Sequence, residues 1–229
     1  MVTAVVFSGG PVEGRHPAED VLSTLDAELA VAVDSGLELA QHLGWHVDLV
    51  VGDMDSVAPG ALDRAESDGA TVRRHPVAKD ATDLELALEE AAAAGAGRVV
   101  VVGSPAGRMD HLLGAAATLA SPRWDALAVD AWFGATALHV VRRRRTLQGA
   151  PGALVSLLPV NGAAHGVRTD GLRFPLRDET LEAGSSRGVS NEFVTAAAEV
   201  EVRDGALLAV LPDAAAVLSA PRALAGGVA

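Results

Sequence analysis

The sequence is defined first by what it lacks. Its 229 residues include no cysteine and no tyrosine, and its aromatic residues are three tryptophans and four phenylalanines. The lack of cysteine excludes disulfides, thiolate zinc sites and a cysteine nucleophile, and it favours a reducing compartment, so we expect a cytoplasmic protein. The scarcity of aromatic rings leaves little surface on which nucleic-acid bases could stack.

Basic charge and long apolar runs are also scarce. The formal net charge is −12, and an acidic chain repels both nucleic acid and anionic membranes. No segment approaches the roughly 20 apolar residues of a membrane helix, and the start does not have the pattern of a signal peptide. We therefore expect neither a nucleic-acid nor a membrane partner. The run Arg142–Arg145 is interpreted as the solvated face of an edge strand.

The first 135 residues alternate short apolar runs with helical patterns. Strands are predicted near 2–7, 29–33, 48–51, 71–74, 99–102 and 127–131, and the strongest helical pattern lies at 81–94. Strands that alternate with helices indicate right-handed crossovers. We therefore predict a doubly wound, mainly parallel α/β domain over residues 1–135.

The pattern changes after residue 135. Short strand candidates at 137–141, 154–158, 166–174, 198–202 and 207–211 are separated by Gly, Pro, Asn and Asp. This spacing is typical of a small antiparallel β-sandwich-like domain, predicted over residues 136–229. The tail after Asp213 is interpreted as either helical or frayed.

Acidic residues recur where the predicted parallel strands end. Asp34 follows one strand, Asp53 and Asp55 follow the next, and Asp110 follows a later strand. Ligands of open α/β sheets bind at this edge, so these carboxylates should converge on one crevice. Carboxylate oxygens suit Mg²⁺, which usually takes one or two carboxylates together with substrate phosphates.

Residue spacing adds two expectations. In an extended segment Asp53 and Asp55 would face the same side, and in a first helical turn Asp80 and Asp83 would do so. The second motif has an equally good alternative, because Thr82 and Glu85 also form a capping box at a helix start.

Cationic and imidazole side chains lie beside these acids. Lys79 and Arg108 are candidates for contacting phosphate, although lone cations before a helix are more often solvated. His111 follows Asp110 and is a site candidate. The remaining histidines are interpreted as structural or exposed.

Together these motifs resemble the thiamine pyrophosphokinase family. The resemblance rests on segments found in the family's order: Val33-Asp34-Ser35-Gly36, Asp48 to Ser56 with its Gly-Asp-x-Asp-Ser end, Lys79-Asp80-Ala81-Thr82-Asp83, Gly107-Arg108-Met109-Asp110-His111, Gly171-Leu172-Arg173-Phe174 and Val189-Ser190-Asn191-Glu192. Each segment alone is weak, but the set is specific and covers nearly the whole chain.

The resemblance implies an activity. The family moves a pyrophosphoryl group from ATP to the hydroxyl of thiamine, with Mg²⁺, and releases AMP. It also implies an N-terminal catalytic domain that binds ATP and Mg²⁺, a C-terminal β domain that binds thiamine, and a homodimer whose thiamine sites are shared between subunits.

The resemblance also implies residue roles. Asp53, Asp55 and Asp83 would be the catalytic and metal-binding residues, and Asp83 would also accept the hydroxyl proton. The ATP side would comprise Asp34, Lys79, Asp80, Thr82, Arg108, Asp110 and His111. The thiamine side would comprise Phe174, Ser190 and Asn191.

Two departures from the family pattern bear on these roles. Ser35 replaces a glycine, which puts the close backbone approach there in question, and Phe174 replaces a larger aromatic residue. Two alternatives stay open: a pyrophosphokinase for another alcohol, such as a pterin, and a non-catalytic nucleotide-binding scaffold of the same fold.

Overall fold

The computed structural model describes residues 2–10, 14–78, 80–104 and 108–214. The predicted site residue Lys79 and nearly all of the tail after Asp213 lie outside these ranges. Five α-helices are present among the described residues, namely α1 Glu19–Leu22, α2 Gly36–His42, α3 Ala61–Ser67, α4 Asp83–Ala93 and α5 Met109–Leu119. Within the same ranges, none of these helices has the length and apolar character needed to cross a membrane.

Six parallel strands form the N-terminal part of the sheet. They are β1 Val2–Ser8, β2 Leu29–Val33, β3 Leu49–Gly52, β4 Thr71–Arg74, β5 Ala96–Gly103 and β6 Ala128–Phe133. Their order is β4-β3-β2-β1-β5-β6, so the strand order reverses at β1, as in a doubly wound sheet.

Apolar residues on both faces of these strands explain why helices cover both sides. On β1, Val5 and Phe7 join the core that contains Leu37 of α2, whereas Ala4 and Val6 join the core that contains Leu88 of α4. Parallel sheets are buried on both faces for this reason. The predicted α/β fold class is confirmed.

Antiparallel strands extend the same sheet and form a second one. The C-terminal strands are β7 Thr136–Val141, β8 Arg144–Gln148, β9 Leu154–Pro159, β10 Ala164–Asp170, β11 Arg177–Leu181, β12 Asn191–Glu192, β13 Ala197–Glu201 and β14 Leu207–Leu211. A tight turn at residues 134–135 pairs β7 with β6, and β14, β9 and β12 then continue the large sheet. The separate sheet has the order β11-β10-β13-β8.

The predicted domain boundary at residue 135 coincides with this turn, yet the ten-stranded sheet runs through it. The division into residues 1–135 and 136–229 therefore stays a prediction. The predicted strand 166–174 was too long: β10 ends at Asp170, because Gly171 adopts φ +78° and turns the chain.

A buried ionic cluster connects the two sheets. Asp130 on β6 is 1% exposed and accepts hydrogen bonds from Arg98 on β5, from Arg145 on β8 and from the His139 ring on β7, at 3.0 Å for Arg98 and 2.6 Å for His139. Burial alone would raise the pKa of Asp130. The hydrogen bond with His139 and the charges of His139, Arg145 and Arg98 outweigh burial and hold its pKa at about 2.

The prediction that Arg142–Arg145 form the solvated face of an edge strand is correct only in part. Arg144 does lie on the edge strand β8, where it is exposed and pairs with Glu199 at 2.6 Å. Arg145 instead contacts Asp130, and Arg142 contacts Asp125 at 2.8 Å with its side chain 11% exposed. Two of the four guanidinium groups are therefore structural rather than solvated.

Replacing Asp130 with Asn should destabilise the fold. It removes the carboxylate shared by Arg98, His139 and Arg145, and loss of one partner from a buried ion pair costs about 3 kcal/mol. Because the folded pKa of Asp130 lies below the usual 3.8, its contribution is present above about pH 4 and is lost as the pH falls toward 2. Urea denaturation at several pH values measures both effects.

The matched control is Asp125→Asn. Asp125 also pairs with an arginine, but its side chain is 70% exposed, so its loss should cost under about 1 kcal/mol. Equal destabilisation by the two variants would contradict the role assigned to the Asp130 cluster.

Candidate active site

The carboxyl ends of the parallel strands gather most of the predicted site residues. Asp34 follows β2, Asp53 and Asp55 follow β3, and the chain after β5 leads to Arg108 and α5. Since β1, β2, β3 and β5 are parallel neighbours, these segments meet at one edge of the sheet.

Asp34 connects the loops after β2 and β3. Its Oδ1 accepts a hydrogen bond from the backbone N–H of Met54 at 3.1 Å, and its own N–H donates to Val51 O at 3.1 Å. Gly52 has φ +148°, and a Cβ there would overlap the Asp34 carboxylate. Glycine at 52 is thus what lets Asp34 reach the Asp53–Asp55 loop, so Asp34 helps to shape that loop.

The segment from Asp53 to Asp55 is a turn, so the prediction that it is extended was wrong. Met54 adopts φ +66°, and the Asp53 Oδ1 accepts the N–H of Asp55 at 3.1 Å. This side-chain-to-backbone bond is an Asx turn, which competes well with an extended conformation for Asp. Both aspartates stay at the sheet edge.

Glu38 on α2 holds the same loop from its other end. Its Oε1 accepts the backbone N–H of Ala58, three residues beyond Asp55. Sequence reasoning missed this contact. The signal was the Ser35-x-x-Glu38 spacing of a capping box, yet Ser35 makes no side-chain cap bond, and the described bond of Glu38 goes to the neighbouring loop.

Ser35 is compatible with a close backbone approach. Its φ of −61° and ψ of −3° are ordinary for any residue, so no glycine is needed for conformation. The space comes from Gly9 opposite, because a Cβ at Gly9 would overlap the Ser35 hydroxyl. The departure at Ser35 is therefore compensated within this chain.

The loop before α4 behaves as a helix start. Thr82 is the N-cap and its Oγ1 accepts the N–H of Glu85 at 3.3 Å, while the Glu85 carboxylate contacts Arg123. The helix begins at Asp83, so Asp80 lies outside it. The expectation that Asp80 and Asp83 share a first helical turn was therefore wrong, although Asp83 stands half-buried at the helix N-terminus.

Arg108 and Asp110 form an exposed ion pair at the start of α5. The guanidinium Nε and Nη2 lie 3.1 Å and 2.5 Å from the two carboxylate oxygens. The hydrogen bond from Arg108 is the main cause that lowers the pKa of Asp110. His111 follows in the same helical turn and is exposed. A phosphate contacting Arg108 would share this guanidinium with Asp110.

The carboxylates suit Mg²⁺ in their chemistry. Among the described residues, no three His, Asp or Glu side chains are grouped as a ready-made metal cage. Mg²⁺ does not require one, because it usually binds one or two carboxylates and completes its shell with water and phosphate oxygens. Two aspartates separated by a single residue, as Asp53 and Asp55 are, fit that mode of binding.

The predicted thiamine-side residues form a compact unit in the C-terminal half. Phe174 is 51% exposed, and the Arg173 guanidinium lies 5.8 Å from the centroid of its ring. Arg173 also pairs with Glu192 at 2.7 Å, a contact that sequence reasoning missed. Asn191 is 5% exposed and bonds to the backbone of Phe174, while Ser190 adopts φ +56° and donates its N–H to Ser156 Oγ at 3.1 Å.

This unit lies at the same sheet edge as the acidic loops but far from them. The residue pairs between neighbouring strands show that β12 reaches the same edge as the carboxyl end of β6. These pairs are Phe133–Thr136, Ala137–Leu211, Ser156–Val210 and Val155–Asn191. Between β3 and β12 there are eight strand-to-strand steps. At about 4.8 Å a step, this is roughly 38 Å along the sheet.

Two family models match the sequence. Residues 23–129 match "Thiamin pyrophosphokinase, catalytic domain", and residues 138–207 match "Thiamin pyrophosphokinase, vitamin B1 binding domain". The matches follow each other in the order of the fold and together cover well over half of the chain. The chain belongs to the thiamin pyrophosphokinase family.

Individual relatives agree with this assignment. The thiamine pyrophosphokinase of Bacillus subtilis is 22% identical over 222 residues, which span 92% of this chain and 98% of the relative. Its crystal structure superposes with a TM-score of 0.76 over 91% of this chain and 98% of that one. The enzyme structure from Geobacillus thermodenitrificans gives 0.74 at 24% identity over 92% and 97%. These likenesses show the shared fold.

Gly52→Ala should impair the site more than the fold. The added Cβ would displace the Asp34 carboxylate and with it the Asp53–Asp55 loop, so turnover should fall by roughly 100-fold, the cost of about 1 Å of misplacement. Steady-state kinetics and thermal unfolding measure the two effects.

The control is Gly69→Ala. Gly69 also has a positive φ, +103°, but a Cβ there meets nothing within 4 Å. It should show the backbone cost of about 1 kcal/mol with unchanged turnover. Equal turnover in the two variants would contradict the role given to Gly52.

Proposed function

We propose that this chain transfers a pyrophosphoryl group from ATP to the hydroxyl of thiamine, giving thiamine diphosphate and AMP. Thiamine pyrophosphokinase is the activity of the family to which the chain belongs, and that family uses ATP as co-substrate and binds thiamine. The main support for the proposal is that two family models match consecutive parts of this chain. In the first of these parts, the acidic loops meet at one edge of the sheet.

In the proposed reaction the thiamine oxygen attacks the β-phosphorus of ATP. The bond from that phosphorus to the oxygen bridging the α- and β-phosphates breaks, and AMP leaves. Asp83 at the start of α4 accepts the proton of the thiamine hydroxyl. Positioning and electrostatic stabilisation account for most of the rate enhancement in such transfers. The catalytic effect therefore depends mainly on the geometry of the charged loops.

The charged residues divide the work on the phosphate chain. Asp53, Asp55 and Asp83 would hold Mg²⁺, which when bound neutralises charge on the phosphate oxygens. Asp34 keeps the Asp53–Asp55 loop in place through Met54 N–H. Arg108 and Lys79 would contact phosphate, and Asp110 orients Arg108 through its two hydrogen bonds. Asp80, Thr82 and His111 complete the proposed ATP side, with Thr82 fixing the start of α4.

The thiamine side would use the exposed Phe174 ring as a platform. An aromatic face suits the planar rings of thiamine. Asn191 at the start of β12 bonds to the backbone of Phe174, and Ser190 precedes it in the chain. Phenylalanine carries less ring surface than the larger aromatic residue of the family pattern, which weakens stacking without removing it.

The separation across the sheet supports a homodimer with shared sites. Thiamine bound at Phe174 cannot place its hydroxyl at phosphates held by Asp53 and Asp55 of the same chain, roughly 38 Å away along the sheet. In a symmetric dimer, a twofold axis would place Phe174 of each subunit beside Asp53 and Asp55 of the other, which makes two equivalent sites. Met109 and Leu113 on α5 are 68% and 64% exposed and offer an apolar surface for this contact, because α5 connects β5 and β6, which lie between the two groups.

The alternatives are less well supported. Both matched family models are named for thiamin pyrophosphokinase. These matches support neither a pterin as the acceptor nor a non-catalytic scaffold. The cytoplasm is the compartment that the cysteine-free composition predicts, and the acidic charge argues against nucleic-acid and membrane partners.

Single-turnover product analysis tests the bond that breaks. With Mg²⁺, ATP and thiamine, we expect equal amounts of AMP and thiamine diphosphate by chromatography. ADP with thiamine monophosphate would show transfer of the γ-phosphoryl group and would overturn the proposal. A pterin alcohol in place of thiamine should give no product.

Asp55→Asn keeps the size of the side chain and removes its charge. Turnover should fall by roughly 100-fold or more, since the phosphate chain loses an anionic metal ligand. Stability should change little because Asp55 is exposed. Asp63→Asn serves as the control, because Asp63 on α3 is also an exposed aspartate. Near-normal turnover of the Asp55 variant would remove Asp55 from the metal site.

Leu113→Glu tests the dimer surface. A charge on the exposed apolar face of α5 should convert the dimer to a monomer in sedimentation experiments, with loss of activity. Ala93→Glu, at an exposed position at the end of α4, should leave both unchanged. An unaltered dimer in the Leu113 variant would place the interface elsewhere.

A further inference from the structure

The segment that presents Phe174 is attached by a short antiparallel ladder. Arg173 N–H donates to Glu192 O at 2.9 Å, and Val194 N–H donates to Gly171 O at 2.9 Å. Leu172 and Phe193 form the bridge between these bonds. Each residue pair of the ladder uses main-chain groups, as in any sheet.

At Phe174 a side chain takes over from the main chain. Asn191 would be the next partner in the ladder, but its backbone pairs with Val155 of β9 instead. Its carboxamide replaces the missing peptide group: Oδ1 accepts Phe174 N–H at 3.0 Å, and Nδ2 donates to Phe174 O at 2.8 Å. The ladder therefore extends to Phe174 only because residue 191 is an asparagine.

The Asn191 carboxamide has little capacity left for a substrate. Oδ1 also accepts the N–H of Glu192 at 2.9 Å, so both of its lone pairs are engaged. Asn191 is 5% exposed, whereas Phe174, whose backbone it holds, is 51% exposed. The group that can meet thiamine is thus the ring and not the amide.

We propose that Asn191 is a positioning residue: it acts on thiamine through the main chain of Phe174 and does not bind thiamine itself. This inference rests on the proposed function, and it changes the role expected for Asn191 from contact to support. Asparagine is suited to the task because its amide offers a donor and an acceptor in the geometry of a peptide group.

The first experiment is independent of catalysis. Amide hydrogen exchange of the free protein reports whether Phe174 N–H is held by Asn191. In Asn191→Ala, exchange at Phe174 should quicken by at least about 10-fold, the loss expected when a hydrogen bond of about 1.4 kcal/mol opens. Unchanged exchange at Phe174 would overturn the proposal even if the enzyme proved inactive.

The second experiment is a double-mutant cycle on thiamine kinetics. Asn191→Ala should raise the KM for thiamine by about 10-fold while the KM for ATP and kcat stay within about 2-fold, since only ring placement is lost. In a Phe174→Ala background the same change should have no further effect. Independent, multiplying effects would show that Asn191 contacts thiamine directly and would overturn the proposal.

Two controls complete the design. Asn161→Gly removes the chain's other asparagine side chain, which bonds to Ala117 O at 2.9 Å, and should leave thiamine kinetics unchanged. If Asn191→Ala does not fold, Asn191→Asp keeps the acceptor oxygen and loses the donor to Phe174 O. It should raise the KM for thiamine where the Phe174 ring is present, and an unchanged KM, or an equal rise in the Phe174→Ala background, would overturn the proposal. A wild-type protein without pyrophosphokinase activity would refute the proposed function, while the exchange experiment would still test Asn191.

Discussion

The candidate site depends above all on the parallel pairing of β1, β2, β3 and β5. Parallel pairing sends the four carboxyl ends to one edge, and the loops that follow must then share a small space. The chain meets this constraint with glycine where side chains would collide, at Gly9 against Ser35 and at Gly52 against Asp34. A single added methyl group at either position would push charged or polar loops apart.

The continuity of the large sheet sets the second constraint. Because β7, β14, β9 and β12 continue the hydrogen-bonded order from β6, the Phe174 unit stays at the edge that carries the aspartates. The same continuity keeps it eight strands from β3. The Asp130 cluster then fixes the second sheet against the first through Arg145. In the proposed function, the acidic loops and the Phe174 segment of one chain therefore lie too far apart to form one site, and a second copy of the chain would bring them together.

The sequence predicted what depends on apolar periodicity. Strands β2 and β3 are continuous apolar runs and α4 has a helical repeat, so their positions were evident. The convergence of Asp34 and Asp53 followed from their places after these strands. β8 begins with two arginines and β11 has the polar sequence Arg-Asp-Glu-Thr-Leu, so neither shows the alternation that marks a strand. Their pairing depends on tertiary contacts such as Arg145 with Asp130.

Contacts between distant loops were the part that sequence could not supply. The spacing of Asp53 and Asp55 suggested an extended segment, but a local Asx bond and the left-handed Met54 produced a turn. The motif predicts that Asn191 lines the thiamine pocket. Its bonds to Phe174 depend instead on the pairing of β12 with β9. Such roles follow from which backbone groups are already used, and this is not visible in a motif.

Mixed dimers test the central claim, that one site is built from the acidic loops of one subunit and the Phe174 unit of the other. An Asp55→Asn chain and a Phe174→Ala chain, each inactive at the chosen thiamine concentration, are refolded together in equal amounts, and native mass spectrometry confirms mixed dimers. Random assembly makes half the dimers mixed, each with one intact site, so activity should return to about a quarter of wild type. Activity no higher than that of either variant alone would contradict the account.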